Sequence, residues 1–245
     1  MVSKNQIKLI TSLQKKKYRQ KNQLFIAEGV KVIQELLQSN FVLEHLFVSE
    51  NIFSEVTESK KTIVSEKELK KISCLSTPNN CLALFKTPVL QKINIEGLTV
   101  VLDDIRDPGN FGTIIRLCDW YGIKNLVCSI NTVDLFNPKV VQATMGSISR
   151  VNVYYENLEE FLPNLNLPLY GTFMDGKNVY SENLIENSVL ILGNEANGIS
   201  DPITKLITHK IAIPKFGTIQ KAESLNVATA TAIFLSEFKR NSIEK

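Results

Sequence analysis

Histidine, cysteine and tryptophan are scarce in this chain, at two, four and one among its 245 residues. His45 and His209 stand far apart, and Cys74, Cys81, Cys118 and Cys128 form no Cys-x-x-Cys pair. That spacing suits no common metal site and fits reduced cytoplasmic thiols better than a disulfide framework, so no metal is expected. No apolar run approaches the length of a membrane helix, so no membrane partner is expected. The stretch MVSKNQIKLITSLQKKKYRQ is polar and basic, without the apolar core of a secretion signal, and a cytoplasmic location is expected. Gly-x-Gly-x-x-Gly is absent, and so is the Gly-rich loop ending in Gly-Lys-Ser/Thr. Any cofactor must be held by something other than a familiar phosphate loop. No internal repeat or low-complexity tract is found.

What the chain does have is ample core material, with 44% hydrophobic and 22% charged residues. Over residues 1–92, a helix is predicted at 5–17, a strand in LFIAEG from Leu24 and a helix in VKVIQELLQS from Val30. Strands follow in LEHLFVS, KTIVS and CLALFK, which together make a small α/β unit. TPVLQKINIEG, residues 87–97, has no clear period and reads as the connector. Over 97–245 strands are predicted in TVVLDD, NLVCSI, RVNVYY, PLYGTFM, VLILGN and KIAIPK. Continuous runs such as VLIL are expected of strands buried on both faces, hence a mostly parallel sheet flanked by helices.

Charge is unevenly spread. Residues 1–31 carry eight basic side chains against Glu28 alone, a net +7, which leaves the remainder at −4. Lys15, Lys16, Lys17, Arg19 and Lys21 are the densest part and are candidates for contact with an RNA backbone. The plain alternative is a solvated helix face.

Three predicted strands in 97–245 end in polar, glycine-bearing turns, the place where open α/β sheets put their ligands. After TVVLDD comes Pro108-Gly109-Asn110-Phe111-Gly112, with Arg116 on the following helix, so that Asn110 and Arg116 can face one pocket. After VLIL comes GNEANGIS, with Gly193, Glu195 and Gly198; after KIAIPK come Gly217, Ser224, Leu225 and Asn226. Each has a modest structural explanation. Asn110 suits a turn, Arg116 can pair with Asp119, and Glu195 can cap a short helix near Ile199–Ile207. Ser224 and Asn226 can cap the helix VATATAIFLSEFKR, whose Val227, Thr231, Phe234 and Phe238 share a face. Structure alone does not require all of these at the ends of three strands, and their convergence is expected to form a site.

At these residues the chain resembles the SpoU (TrmH) family of RNA ribose 2′-O-methyltransferases. The likeness lies in Asn110, Gly112, Arg116 and Gly122; in Gly193, Glu195 and Gly198; and in Ile213, Pro214, Gly217, Ser224, Leu225, Asn226 and Val227. It covers about Leu98 to Arg240, in family order, and ATMGSISRVNV from Ala143 adds to it. FIAEG from Phe25 and STPNNCLALF from Ser76 resemble the family's small RNA-binding domain, itself related to ribosomal proteins that bind kinked RNA. One departure is TIQKAE, between Gly217 and Ser224, longer by about three residues than the family pattern, which bears on one pocket wall.

The resemblance implies a trefoil-knotted α/β domain over 97–245 behind an RNA-binding domain over 1–92. It implies S-adenosyl-L-methionine as cofactor, with the adenine held largely by backbone near Thr172, Gly193, Ile213 and Leu225. It implies catalytic roles for Asn110, Arg116, Glu195, Ser224 and Asn226, with Glu195 bracing its loop through backbone N–H groups. Arg116 either assists deprotonation or clamps an RNA phosphate; a guanidinium is a poor base. A homodimer is implied as well, with ribosomal RNA favoured over transfer RNA as substrate. Two other readings stay open: a catalytically inactive RNA-binding or ribosome-assembly factor of the same fold, and a nucleotide-dependent Rossmann enzyme.

Overall fold

The computed structural model describes residues 2–89, 92–217 and 224–243. They group into two compact units, Met1–Leu90 with Asp134–Ser149, and Gln91–Val133 with Arg150–Lys245. TIQKAE, residues 218–223, lies outside the described residues, as do residues 90–91 of the connector.

The first unit begins with α1 (Lys4–Ser12), whose N-terminus carries a reciprocal capping box between Ser3 and Gln6. The single helix expected over 5–17 is instead two, because α1 stops and α2 (Lys16–Asn22) starts afresh. Arg19 gives the reason. Its guanidinium donates to the carbonyls of Leu13 (2.8 Å) and Gln14 (2.9 Å), which a continuous helix would have turned into its own ladder. Then come β1 (Leu24–Glu28), α3 (Val30–Leu37), β2 (Leu43–Val48), β3 (Lys61–Ile63), α4 (Glu66–Ile72) and β4 (Cys81–Lys86). The sheet order is β1-β4-β2-β3, with β4 antiparallel to both neighbours and β3 parallel to β2. Ile10 and Leu13 pack with Ile26, Phe47, Leu69, Ile72, Leu82 and Leu84 on one side of that sheet.

The second unit runs β5 (Thr99–Leu102), α5 (Pro108–Trp120) and β6 (Asn125–Ser129). The next helix, α6 (Pro138–Thr144), packs on β1, and by its contacts 134–149 groups with the first unit. Two anchors explain it: the Phe136 ring lies 4.7 Å from that of Phe25, and Asp134 receives the Nε of Arg19 at 2.9 Å. Back in the second unit follow β7 (Asn152–Glu156), α7 (Leu158–Phe161), β8 (Leu169–Asn178), β9 (Val189–Leu192), α8 (Asp201–Thr204), β10 (His209–Ala212) and α9 (Val227–Ile243). The six strands pair in parallel throughout, in the order β10-β8-β9-β5-β6-β7. The central strands β5 and β9 are buried at every residue, as TVVL and VLIL predict. Val101, Val127 and Ile191 face α7 and α8, and α5 and α9 pack together with Phe111, Ile114 and Ile115 buried. The expected shared face of α9, Val227, Thr231, Phe234 and Phe238, is buried at all four positions.

Arg19 is therefore structural. It is 4% exposed and its charge is matched by Asp134. Of the five basic candidates for RNA contact, it is the one not free to meet a phosphate; Lys15, Lys16, Lys17 and Lys21 are exposed. Arg19→Ala should destabilise the protein by about 3–5 kcal/mol in urea unfolding, since it strands a carboxylate and two carbonyls. Lys16→Ala should change stability by less than about 0.5 kcal/mol.

Candidate active site

The strand ends of the second unit are tied to one another by side chains close to the backbone. Asp103, buried just past β5, donates its N–H to Leu192 (2.9 Å), and its carboxylate accepts the N–H of Ser200 (2.8 Å). Asp104 sits at φ +60°, a left-handed conformation that aims its carbonyl at Asn194 Nδ2 (2.7 Å) and its N–H at Ser129 Oγ (2.8 Å). Asp107 then caps α5, accepting the N–H of Asn110 at 2.7 Å, with Pro108 in the first turn.

The turn after β9 is closed on itself. Asn194 and Gly198 exchange N–H to carbonyl bonds of 2.9 and 2.8 Å, and Asn194 Oδ1 accepts the N–H groups of Ala196 (2.9 Å) and Asn197 (3.3 Å). Asn194, not Glu195, therefore braces this loop, and Glu195 does not cap the helix that follows, which opens at Ser200 without a side-chain cap. Freed of both duties, Glu195 accepts Asn110 Nδ2 at 2.8 Å. Asn110 Oδ1 in turn accepts Asn226 Nδ2 at 2.9 Å. Asn226 Oδ1 accepts the N–H groups of Ala228 (3.0 Å) and Thr229 (3.2 Å), the opening of α9. The three turns thus share one relay, from the start of α9 through Asn226 and Asn110 to a carboxylate. Each amide has a donor on one side and an acceptor on the other, which determines its orientation, and the ionised end strengthens the bond it receives.

Beside the relay lies a cavity of about 730 Å³, within the range of small-molecule sites. Thr172, Gly193, Ile213 and Leu225 all line it, together with Glu195 and Ser224. Its floor is apolar: Leu192, Val227 and Phe234 are buried. Ser224 is exposed at the edge and makes no hydrogen bond with the described residues.

Arg116 is placed differently from the expectation. It is six residues beyond Asn110, about 120° around the helix, and it neither lines the cavity nor joins the relay. Its suggested partner Asp119 is engaged by Arg150 Nε at 2.9 Å, and Arg116 stands exposed without a hydrogen-bond or ion-pair partner among the described residues. Asn110 and Asn226 orient each other rather than Arg116. Burial pushes the Cys118 and Cys128 thiols well above their ordinary range, so neither is a thiolate nucleophile. Among the described residues no cluster of His, Cys, Asp and Glu fit to hold a metal is present, and no helix is long and apolar enough to cross a membrane.

Sequence reading missed Asp103, Asp104, Asp107 and Asn194, which shape the turns without lining a motif of their own. The consecutive acids after a buried strand, and an Asp directly before Pro, were the available signs.

Residues 97–236, more than half the chain, match the SpoU rRNA Methylase family, and residues 4–83 match an MRM3-like substrate binding domain. The chain belongs to the SpoU methylase family. A Bacillus subtilis relative, the 23S rRNA (guanosine(2553)-2′-O)-methyltransferase RlmP, is 30% identical over 241 residues, 95% of this chain and 96% of that protein. A TrmH-family protein from Porphyromonas gingivalis shares the fold with a TM-score of 0.89 and 37% identity, covering 98% of this chain and 99% of that one. An AdoMet-bound rRNA methyltransferase from Sinorhizobium meliloti superposes with a TM-score of 0.87 at 28% identity, over 98% and 97% of the two chains. The all-parallel six-stranded sheet and the small mixed sheet before it are thus the architecture of SpoU methylases.

Asn226 offers a test of the relay in this SpoU methylase. Asn226→Ala should cost about 1 kcal/mol of stability, the usual worth of an N-cap, and lower methyl transfer. Asn226→Asp keeps the cap but cannot donate to Asn110; unfolding should return to the wild-type midpoint while activity stays low. Recovery of both would show that the relay is only a cap.

Proposed function

We propose that the chain transfers a methyl group from S-adenosylmethionine to a ribose 2′-hydroxyl of RNA, ribosomal rather than transfer RNA. The observation that carries this reading is the Glu195–Asn110–Asn226 relay beside a cavity large enough for a nucleoside ligand. The bacterial relative similar over its whole length, named as a 23S rRNA 2′-O-methyltransferase, supports it.

The residues present suit the cofactor. The cavity has an apolar floor for an adenosine, and the turns at Gly193 and Ile213 bring backbone groups to its wall. When bound, S-adenosylmethionine supplies a methyl already activated by its sulfonium. The chain's own work is alignment, the larger physical contribution for so reactive a donor. Glu195, Asn110 and Asn226 hold the three turns in one geometry. Arg116, whose guanidinium keeps its proton in any protein setting, clamps an RNA phosphate in two-pronged fashion and so places the ribose hydroxyl. We place Ser224 against the ribose, and Lys15, Lys16, Lys17 and Lys21 along the RNA backbone as part of an N-terminal RNA-binding domain.

Three further features belong to this reading. The strands and turns of the second unit would form a trefoil knot, the enzyme would act in the cytoplasm, and it would work as a homodimer in which Arg116 serves the partner's cavity. Trp120, 84% exposed one turn beyond Arg116, would report such a dimer by a blue shift of its fluorescence on association.

Ribose-methylation mapping of total RNA from cells with the gene intact, deleted or carrying Arg116→Ala tests the whole. Loss of one 2′-O-methyl site in both altered strains is the expected result and identifies the nucleotide. No lost site would favour an RNA-binding assembly factor. Stabilisation by S-adenosylhomocysteine, with none by NAD or ATP, would separate the enzyme from a Rossmann alternative.

A further inference from the structure

The cavity's mouth is unlike its floor. Seven large apolar side chains of the second unit are exposed among the described residues, and four of them, Met174, Tyr180, Phe216 and Leu225, line this one opening. Phe216 is the extreme case at 83% exposure, on the segment between Pro214 and Gly217 that leads from β10 to the third turn. A phenylalanine left in water is ordinary when isolated; four apolar groups gathered at the entrance of a cavity mark a surface that something covers.

The geometry of the two aromatic rings indicates what kind of surface it is. Tyr180 and Phe216 have centroids 6.5 Å apart and planes tilted by 35°, the outer end of the range for an aromatic pair. They are too far apart to cover each other's faces, so a flat partner can lie on Phe216. The reaction proposed above brings two heterocycles to this place, the adenine of the cofactor and the base of the nucleotide being methylated. The buried floor of Leu192, Val227 and Phe234 suits the small ligand, which can enter fully. The base arrives on a polymer that cannot enter, and it must be placed at the rim. Unpaired RNA bases splayed from their stack are commonly held on aromatic faces.

We propose that Phe216, with Tyr180 beside it, is the stacking platform for the nucleobase whose ribose receives the methyl group. The proposal rests on the RNA-methylation reading. It makes Phe216 a substrate-positioning residue: the ring fixes the plane of the base, and through the glycosidic bond the position of the 2′-hydroxyl relative to the cavity. Stacking is tolerant of base identity, so Phe216 contributes affinity and placement rather than a choice of base.

The test uses the full-length enzyme and ribosomal RNA from cells lacking the gene, with labelled methyl incorporation and, separately, S-adenosylhomocysteine binding. Phe216→Ala should lower kcat/KM for the RNA by about 5- to 150-fold, the usual worth of one stacked base. Its affinity for S-adenosylhomocysteine should stay within about twofold of wild type, the range left by a rim contact that the ligand does not need. Phe216→Tyr should restore transfer, and Phe216→Leu, apolar without a π-face, should not. A parallel loss of S-adenosylhomocysteine binding would overturn the proposal by making Phe216 part of the cofactor's wall. Full activity of Phe216→Ala, or rescue by leucine, would overturn it as well. Wild-type enzyme that incorporates no methyl would instead refute the functional reading on which the proposal stands.

Discussion

Arg116→Ala is expected to leave the fold intact and to lower methyl transfer by at least about 100-fold, the loss that follows when a reacting group is no longer held in line. Arg116 is exposed, with no hydrogen bond or ion pair among the described residues, so its removal breaks none and should change stability by less than about 0.5 kcal/mol in urea unfolding. An exposed arginine with no partner is, however, free to take one, and its guanidinium presents the fork that grips a phosphate in two places. Arg116→Lys should therefore fail to rescue, because a lysine is a point charge without that geometry. If the residue acts on the partner's cavity, mixing Arg116→Ala with a variant broken at the cavity should restore part of the activity. A stable, fully active Arg116→Ala enzyme would remove this residue from the mechanism.

Gly193→Ala should be severely damaging. An added Cβ would lie 2.1 Å from the Gly198 carbonyl carbon and 2.2 Å from the Ile199 nitrogen, both backbone atoms. Nothing there is the flexible end of a side chain, so the Asn194–Gly198 turn would have to open. The expected cost is about 3 kcal/mol or more, at the upper end for overpacked sites, with loss of S-adenosylhomocysteine binding because the turn is a wall of the cavity. Gly171 makes a useful contrast. Its nearest conflict is the Ile207 Cδ1 at 2.2 Å, a side-chain end that can move, so Gly171→Ala should be milder in the same unfolding and binding measurements. Equal damage at both positions would mean that the tight turn is not the reason.

The glycine at 193 was legible as part of a glycine-bearing turn after a buried strand, but why it must be glycine depends on Gly198 folding back over it. Asn110, Glu195 and Asn226 were legible as polar residues at three strand ends. That they bond to one another, in that order, was not, because residues separated by 85 and 116 positions meet only when the sheet places β9 next to β5 and brings α9 against α5. The same holds for Glu195: from sequence the nearest N–H groups are its natural partners, but Asn194 takes them.

Arg19 and Arg116 show the limit most plainly. Both are arginines on helices, Arg19 on α2 and Arg116 on α5, and charge patterning treats them alike. One is buried against Asp134, 115 positions away, and the other stands free in solvent. Phe216 carries no signal in the sequence, since a single aromatic in a turn has no period.

Sequence alone determined the strands, most of the helices and the residues of the three turns. Those are properties of short-range periodicity, capping and backbone freedom, which neighbouring residues settle among themselves. The tertiary structure decided the pairing of Glu195 with Asn110 and Asn226, the burial of Arg19, the grouping of 134–149 with the first unit and the apolar rim around Phe216. Each of those depends on which distant segments share a surface, and that is settled by the packing of the whole chain.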